Sequence, residues 1–82
     1  MPATEHAVTL ITRQGCHLCE QAEALLRSMA DELGFAYREV DVDTDAALKK
    51  QHSDDVPVIL LDGRQHGYWR VEEARLRRDL AT

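Results

Sequence analysis

The sequence predicts a single α/β domain in which three helices flank a four-stranded mixed sheet, in the order β-α-β-α-β-β-α. Segments rich in β-branched residues alternate with segments of helical apolar spacing, and Asp62-Gly63 is a strong signal for a hairpin between the last two strands. Strands joined through a helix run parallel, whereas a two-residue turn joins antiparallel strands, so the sheet is mixed. The length of 82 residues allows one hydrophobic core, and residues 1–82 are predicted to form one domain.

The first two strands and the helix between them form the predicted first half. Ala7–Thr12 is rich in β-branched residues and is expected to be a buried strand. The helix that follows ends before Gly34, because glycine commonly terminates helices. Its apolar stripe comprises Leu18, Ala22, Leu25, Leu26, Met29 and Leu33. A second strand is expected over residues 35–42. The alternation of apolar and polar residues changes phase within it, so either both faces of the strand are covered or the strand starts late.

The second half is predicted to contain a short helix, a hairpin and a last helix. Asp43 or Thr44 is expected to cap the short helix, with Leu48 as its apolar anchor. The last helix has acidic residues in its first turn and arginines near its end, as the helix dipole favours. In chain order, the elements are a helix through His52, strands over residues 56–61 and Arg64–Tyr68, and a helix over residues 71–80.

Charge and hydropathy exclude two classes of partner. The net charge is −5 and the isoelectric point is about 5.2, which excludes the basic surface that general nucleic-acid binding requires. The apolar stretches are too short for a secretion signal or a membrane span, so no membrane partner is expected. We therefore expect a cytoplasmic protein, in a compartment where thiols are kept reduced.

The two cysteines of the chain, Cys16 and Cys19, are separated by two residues at the predicted start of the first helix. A disulfide across so short a loop adds little stability, so a structural role is the weakest interpretation. If Cys16 is the N-cap, free backbone N–H groups point at its sulfur and stabilise the thiolate. Cys16 would then attack, and Cys19, one turn into the helix, would resolve the mixed disulfide.

This element order, with Cys16-x-x-Cys19 at a helix start and Val56-Pro57 opening a strand, resembles the small bacterial glutaredoxin-like proteins of the thioredoxin-fold superfamily. The resemblance implies a thioredoxin fold and a thiol–disulfide oxidoreductase that reduces protein or glutathione mixed disulfides. It also implies that Pro57 is cis and that the backbone of Val56 binds the substrate cysteine. Arg13 stands where many glutaredoxins carry a basic residue for glutathione.

The electron source and the use of the cysteine pair remain open at this point. The glycine pair with which the family holds glutathione is not recognisable in this sequence, since Gly67 is followed by Tyr68-Trp69. Glutathione and a thioredoxin-reductase-type reductant are both candidate electron donors, and no bound cofactor is expected. The alternatives are a non-catalytic thioredoxin-fold adaptor and a metal or iron–sulfur protein. For structural zinc, the other histidines lack ligand spacing, so no metal site is predicted.

Histidines and aromatic residues complete the set of candidates. His17 is interpreted either as a group that tunes the redox potential or as a solvated surface residue. We expect His6, His52 and His66 to be plain surface groups. Tyr68 and Trp69 are expected to pack against the core in preference to flanking a substrate groove.

Overall fold

Four strands form one mixed sheet in the order β2-β1-β3-β4 within residues 2–52 and 54–82, the part of the chain that the computed structural model describes. The strands are β1 (Ala7–Thr12), β2 (Ala36–Asp41), β3 (Val58–Leu61) and β4 (Arg64–Tyr68). The α-helices are α1 (His17–Leu33), α2 (Ala46–His52) and α3 (Glu73–Leu80). β1 is parallel to β2 and antiparallel to β3, which is antiparallel to β4. The predicted order of elements and the mixed sheet are confirmed.

Helices cover both faces of the sheet, and the core is divided accordingly. On the face covered by α1 and α3, the buried residues are Val8, Leu10, Ala22, Leu26, Met29, Phe35, Ile59, Leu76 and Leu80. On the face covered by α2, they are Ile11, Val42 and Val58, with Leu48 packed against them. Glu39 and Val40 of β2 point to opposite faces and are both half-buried, which accounts for the slipped alternation. None of the helices in the described residues is long and apolar enough to cross a membrane.

Two predicted glycine positions have the backbone that the sequence suggests. Gly34 has a φ of 82° and donates its amide to the Ala30 carbonyl oxygen at 2.8 Å, which ends α1. Asp62 and Gly63 both have positive φ, at 53° and 84°, as the common two-residue hairpin turn requires. The hairpin prediction is therefore confirmed.

β2 is one residue shorter than predicted at each end, and three other elements begin later than predicted. α2 is capped by Asp45, whose carboxylate accepts the amides of Ala47 and Leu48 at 2.9 and 3.1 Å. Asp43 and Thr44 instead belong to a 3-10 turn, Val42–Thr44. β3 starts two residues later than predicted, at Val58, because Pro57 has no N–H to donate to the ladder.

The third boundary is the start of α3, which begins at Glu73 rather than at residue 71. Trp69 has a φ of 70°, a left-handed backbone that a helix does not admit, and the chain turns there before α3 begins. The side chain of Trp69 consequently does not share the buried face of Leu76 and Leu80.

His6 is buried, so the prediction of a surface histidine is wrong there. Its ring Nδ1 lies 2.5 Å from Asp62 Oδ2, and its Nε2 lies 3.0 Å from the Thr82 carbonyl oxygen. The other Asp62 carboxylate oxygen accepts the Ala7 amide at 2.8 Å. These bonds join the start of β1, the β3–β4 turn and the residues after α3. The hydrogen bond to Asp62 and that to Thr82 raise the pKa of His6, while the Ala7 amide and His6 lower the pKa of Asp62.

The other two histidines expected at the surface are also shielded. The His66 side chain is only 7% exposed, and its Nε2 lies 2.8 Å from Asp79 Oδ2. That hydrogen bond lowers the pKa of Asp79. The His52 side chain is 15% exposed and faces Asp55. Tertiary contacts, which local sequence does not reveal, meet the rings of His6 and His66.

We predict that His6→Gln destabilises the protein more at about pH 5.5 than at about pH 9. Because the pKa of His6 is raised in the folded chain, its stabilisation is complete below the unfolded value of about 6.5 and is lost as pH rises through the folded value. The lowered pKa of Asp62 keeps its carboxylate charged at the lower pH. Urea unfolding of wild type and variant at both pH values measures the difference.

The matched control is His17→Gln, since the side chain of His17 is 82% exposed. At about pH 5.5 it should destabilise the protein less than His6→Gln does. A pH-independent effect of His6→Gln would contradict the role assigned to His6.

Candidate active site

The turn between β1 and α1 places Cys16 at the N-cap of α1. Gly15 has a φ of 76°, which glycine adopts without steric cost, and Cys16 is extended, as an N-cap residue is. The Cys16 sulfur accepts a hydrogen bond from the Cys19 amide at 3.2 Å. Cys16 is therefore the N-cap residue of α1, and a backbone N–H group of the first helical turn points at its sulfur.

Cys16 and Cys19 are joined as a disulfide, with their Cα atoms 5.1 Å apart. The two side chains differ in accessibility: Cys16 is half-buried, whereas Cys19 is 1% exposed. An external molecule therefore reaches Cys16 first. Cys19 lies under the first turn of α1, where its sulfur contacts the Cys16 sulfur.

Val56 and Pro57 lie in the segment that leads into β3. The peptide bond between them is cis, and Pro57 is buried. The Pro57 carbonyl oxygen accepts the Trp69 amide at 2.7 Å. Trp69 in turn lines a cavity together with Leu18. Through Trp69, the proline segment is thus connected to the cavity that Leu18 also lines.

Arg13 lines a different cavity, of about 240 Å³, which it shares with Cys19. Its guanidinium Nη2 lies 3.4 Å from Asp43 Oδ1. Three carboxylates line the same cavity, those of Glu20, Glu23 and Asp41. A free carboxylate entering here would meet one guanidinium and three like charges, which disfavours its binding.

His17, between the cysteines, extends into solvent. Its ring Nε2 lies 3.3 Å from the Gln21 side-chain amide, and Nδ1 lies 3.9 Å from Glu20. Of the two interpretations made from sequence, this placement matches the solvated one. His17 is adjacent to Cys16 in the chain.

Three residues that the sequence places in the core are exposed instead. Among residues 2–52 and 54–82, the exposed large apolar side chains are Leu18 (48%), Tyr68 (49%) and Trp69 (53%). The predictions that Leu18 belongs to the buried stripe and that the aromatic residues pack inward are wrong. Counting Cys19 as apolar gives the buried set Cys19, Ala22, Leu26 and Met29, and this spacing turns Leu18 outward.

Within the described ranges 2–52 and 54–82, no group of three or more His, Cys, Asp or Glu side chains is positioned to hold a metal ion. Within the described residues, Cys16 and Cys19 therefore have no third His, Cys, Asp or Glu side chain beside them with which to hold a metal ion. The chemistry that the pair itself offers is thiol–disulfide exchange.

Comparisons with known proteins agree with this geometry. The model of the family described as glutaredoxin-like domain (DUF836) matches residues 7–81. An uncharacterized protein of Mycobacterium tuberculosis is 44% identical over 79 residues, which cover 90% of this chain and 81% of the relative. The solution structure of protein Ne2328 from Nitrosomonas europaea has a TM-score of 0.79 at 23% identity, covering 93% of this chain and 92% of that one. Thioredoxin from Fasciola hepatica has a TM-score of 0.69 at 20% identity, covering 94% and 79%. The predicted thioredoxin fold is confirmed.

We predict that Cys16 of the reduced, folded protein is alkylated at least about ten-fold faster than Cys19 near neutral pH, because its sulfur is accessible and accepts a backbone N–H bond. Brief treatment with iodoacetamide followed by peptide mass spectrometry measures both rates. In urea, which removes the fold, the two rates should converge. Equal rates in the folded protein would contradict the assigned difference in access.

Proposed function

We propose that this chain, which belongs to the glutaredoxin-like domain family (DUF836), is a thiol–disulfide oxidoreductase that acts through Cys16 and Cys19. The observation that carries the proposal is the cysteine pair itself, at disulfide distance on the first turn of α1. The accessible Cys16, with the buried Cys19 beside it, suits exchange with an external disulfide. The short loop between the two cysteines makes a stabilising crosslink a poor explanation.

In the proposed reaction, the reduced protein transfers two electrons to a substrate disulfide. The Cys16 thiolate attacks one substrate sulfur, the substrate S–S bond breaks, and the released thiolate takes a proton from solvent. Cys19 then loses its proton and attacks the Cys16 sulfur of the mixed disulfide. This step forms the Cys16–Cys19 disulfide and releases the second substrate thiol. One disulfide is reduced to two thiols as one dithiol is oxidised.

The helix N-terminus contributes to both steps. The dipole of α1 stabilises a thiolate by about 0.3–1 kcal/mol, and the Cys19 amide adds a direct hydrogen bond to the Cys16 sulfur. A stabilised thiolate forms at lower pH and is also a better leaving group when Cys19 attacks. The second effect speeds release of the product and limits the lifetime of the mixed disulfide.

The proposed substrates are disulfide-containing proteins, and the proposed location is the cytoplasm. The backbone of Val56, before the cis proline, is proposed to pair with the substrate chain, and His17 to lie at the rim of the bound substrate. Glutathione and a thioredoxin-reductase-type protein are the two candidate reductants. The carboxylates around Arg13 count against a glutathione carboxylate at that guanidinium and favour the second donor.

We predict that Cys16→Ser abolishes disulfide reduction, because serine does not form a disulfide with the substrate. Cys19→Ser should instead accumulate a mixed disulfide on Cys16, since the resolving thiol is missing. Insulin turbidity measures reduction, and intact-protein mass spectrometry under non-reducing conditions detects the mixed disulfide. Reduction of insulin by Cys16→Ser at the wild-type rate would contradict the proposal.

We also predict turnover with at least one of two electron sources, glutathione with its reductase or NADPH with thioredoxin reductase. Oxidation of NADPH, followed by its absorbance, measures both in parallel. Cys19→Ser should lose turnover with the reductase-type donor, which reduces an internal disulfide that this variant does not form. Absence of turnover with both sources would favour the adaptor, in which the cysteines do no chemistry.

A further inference from the structure

The segment that carries Val56 and Pro57 lies outside the helices and strands. It comprises residues 54–57, between α2 and β3, and is called the proline segment from here on. Val56 packs against the core on the α2 face of the sheet, and Pro57 is buried. Asp54, at the other end, is exposed. Such a segment keeps one backbone conformation only where specific contacts hold it.

Trp69 contacts the proline segment at both of its ends. Its amide donates to the Pro57 carbonyl oxygen at 2.7 Å, and its indole N–H donates to the Asp54 carbonyl oxygen at 3.2 Å. Trp69 directly follows β4, where Tyr68 pairs with Val58 of β3. The sheet therefore fixes the backbone beside Trp69, and the two hydrogen bonds transmit that fixed position to the proline segment.

The backbone of Trp69 adopts a conformation that costs free energy. Its φ of 70° lies in the left-handed region, which bulky residues rarely adopt. Burial offsets only part of this cost, because Trp69 is 53% exposed. An exposed hydrogen bond adds little stability either, since water replaces it in the unfolded chain. Strained residues concentrate at functional sites, so the contact with the proline segment fits a functional role better than a stabilising one.

We propose that Trp69 is a positioning residue, whose indole N–H holds the proline segment in the conformation that lets the Val56 backbone pair with a peptide substrate. This inference rests on the proposed function, in which that pairing orients the substrate disulfide. Trp69 acts through the backbone that it holds, and its own side chain takes no part in the exchange. A disulfide without a peptide backbone therefore gains nothing from Trp69.

A purely stabilising role for Trp69 predicts a different pattern. Loss of a stabilising contact lowers the folded fraction of the protein, which slows the reaction with every disulfide by the same factor. Loss of a positioning contact slows the reaction with peptide disulfides alone. The ratio of rate constants for a peptide disulfide and a small disulfide distinguishes the two roles.

The test measures this ratio in single-turnover exchange with the pre-reduced protein. The peptide probe is Ala-Ala-Cys-Ala-Ala, capped at both ends, as its mixed disulfide with 2-mercaptoethanol. The small probe is 2-hydroxyethyl disulfide, which has no peptide group. With either probe, Cys16 attacks and one thiol leaves, then Cys19 closes the protein disulfide and releases the second thiol. Acid quenching, alkylation and mass spectrometry count the remaining protein thiols and give both rate constants.

Two variants remove the indole N–H and keep the amide of residue 69. Trp69→Phe retains an aromatic ring, and Trp69→Gly adopts a positive φ without steric cost, so the fold should persist in at least one of them. In both, the rate constant for the peptide should fall about two- to ten-fold relative to that for 2-hydroxyethyl disulfide, as loss of one hydrogen bond predicts.

Tyr68→Phe is the matched control, because it also removes one polar hydrogen from an exposed aromatic side chain and leaves the indole in place. It should keep the wild-type ratio. Hydrogen exchange followed by mass spectrometry gives a second readout that needs no substrate. The amides of residues 54–56 should exchange faster in Trp69→Phe than in wild type, and at the wild-type rate in Tyr68→Phe.

The outcomes separate the positioning role from the oxidoreductase function. If the reduced wild type reacts with neither probe, the oxidoreductase function fails, and the positioning role fails with it. If the wild type reacts with both probes and Trp69→Phe and Trp69→Gly keep its ratio, the positioning role fails and the oxidoreductase function stands. Equal slowing with both probes would also contradict the positioning role.

Discussion

The hydrogen bond from the Cys19 amide to the Cys16 sulfur is the interaction on which the site depends. It exists because a short turn over residues 13–16 joins the end of β1 to the start of α1, with Gly15 at positive φ within it. α1 is held on the sheet by Leu26 and Met29, which are buried against the core of β1 and β3. The core therefore fixes the direction in which the first turn of the helix points. A mobile helix would leave the sulfur to water and remove the main support for the reactivity proposed for Cys16.

The parts of the fold that local pattern determines were predictable. The helical spacing of α1, the glycine at position 34 and the Asp62-Gly63 turn each depend on residues close in sequence, and the structure confirms them. The parts that depend on distant residues were not. His6 is buried because Asp62 and Thr82, far away in the chain, meet both its ring nitrogens. No periodicity within a strand or helix contains that information.

The site shows the same division. The N-cap position of Cys16 follows from the cysteine pair and the helix start, and it was predictable. At the start of α1, Cys19 is buried and Leu18 is exposed, whereas Ala22, Leu26 and Met29 further along the helix are buried as predicted. The left-handed backbone of Trp69 was beyond prediction, because Trp is a poor candidate for that conformation and Pro57 is twelve positions away.

The central claim is that the N-terminus of α1 stabilises the Cys16 thiolate. Its most direct test is the pKa of Cys16 in the reduced Cys19→Ser variant, where one thiol titrates and the backbone amide of residue 19 is retained. The ultraviolet absorbance of the thiolate, followed against pH, gives that value in the folded protein and in urea. We predict a folded pKa below the value of about 8.5 for a free cysteine, and a return to about 8.5 in urea. A folded value at or above that of the unfolded chain would contradict it.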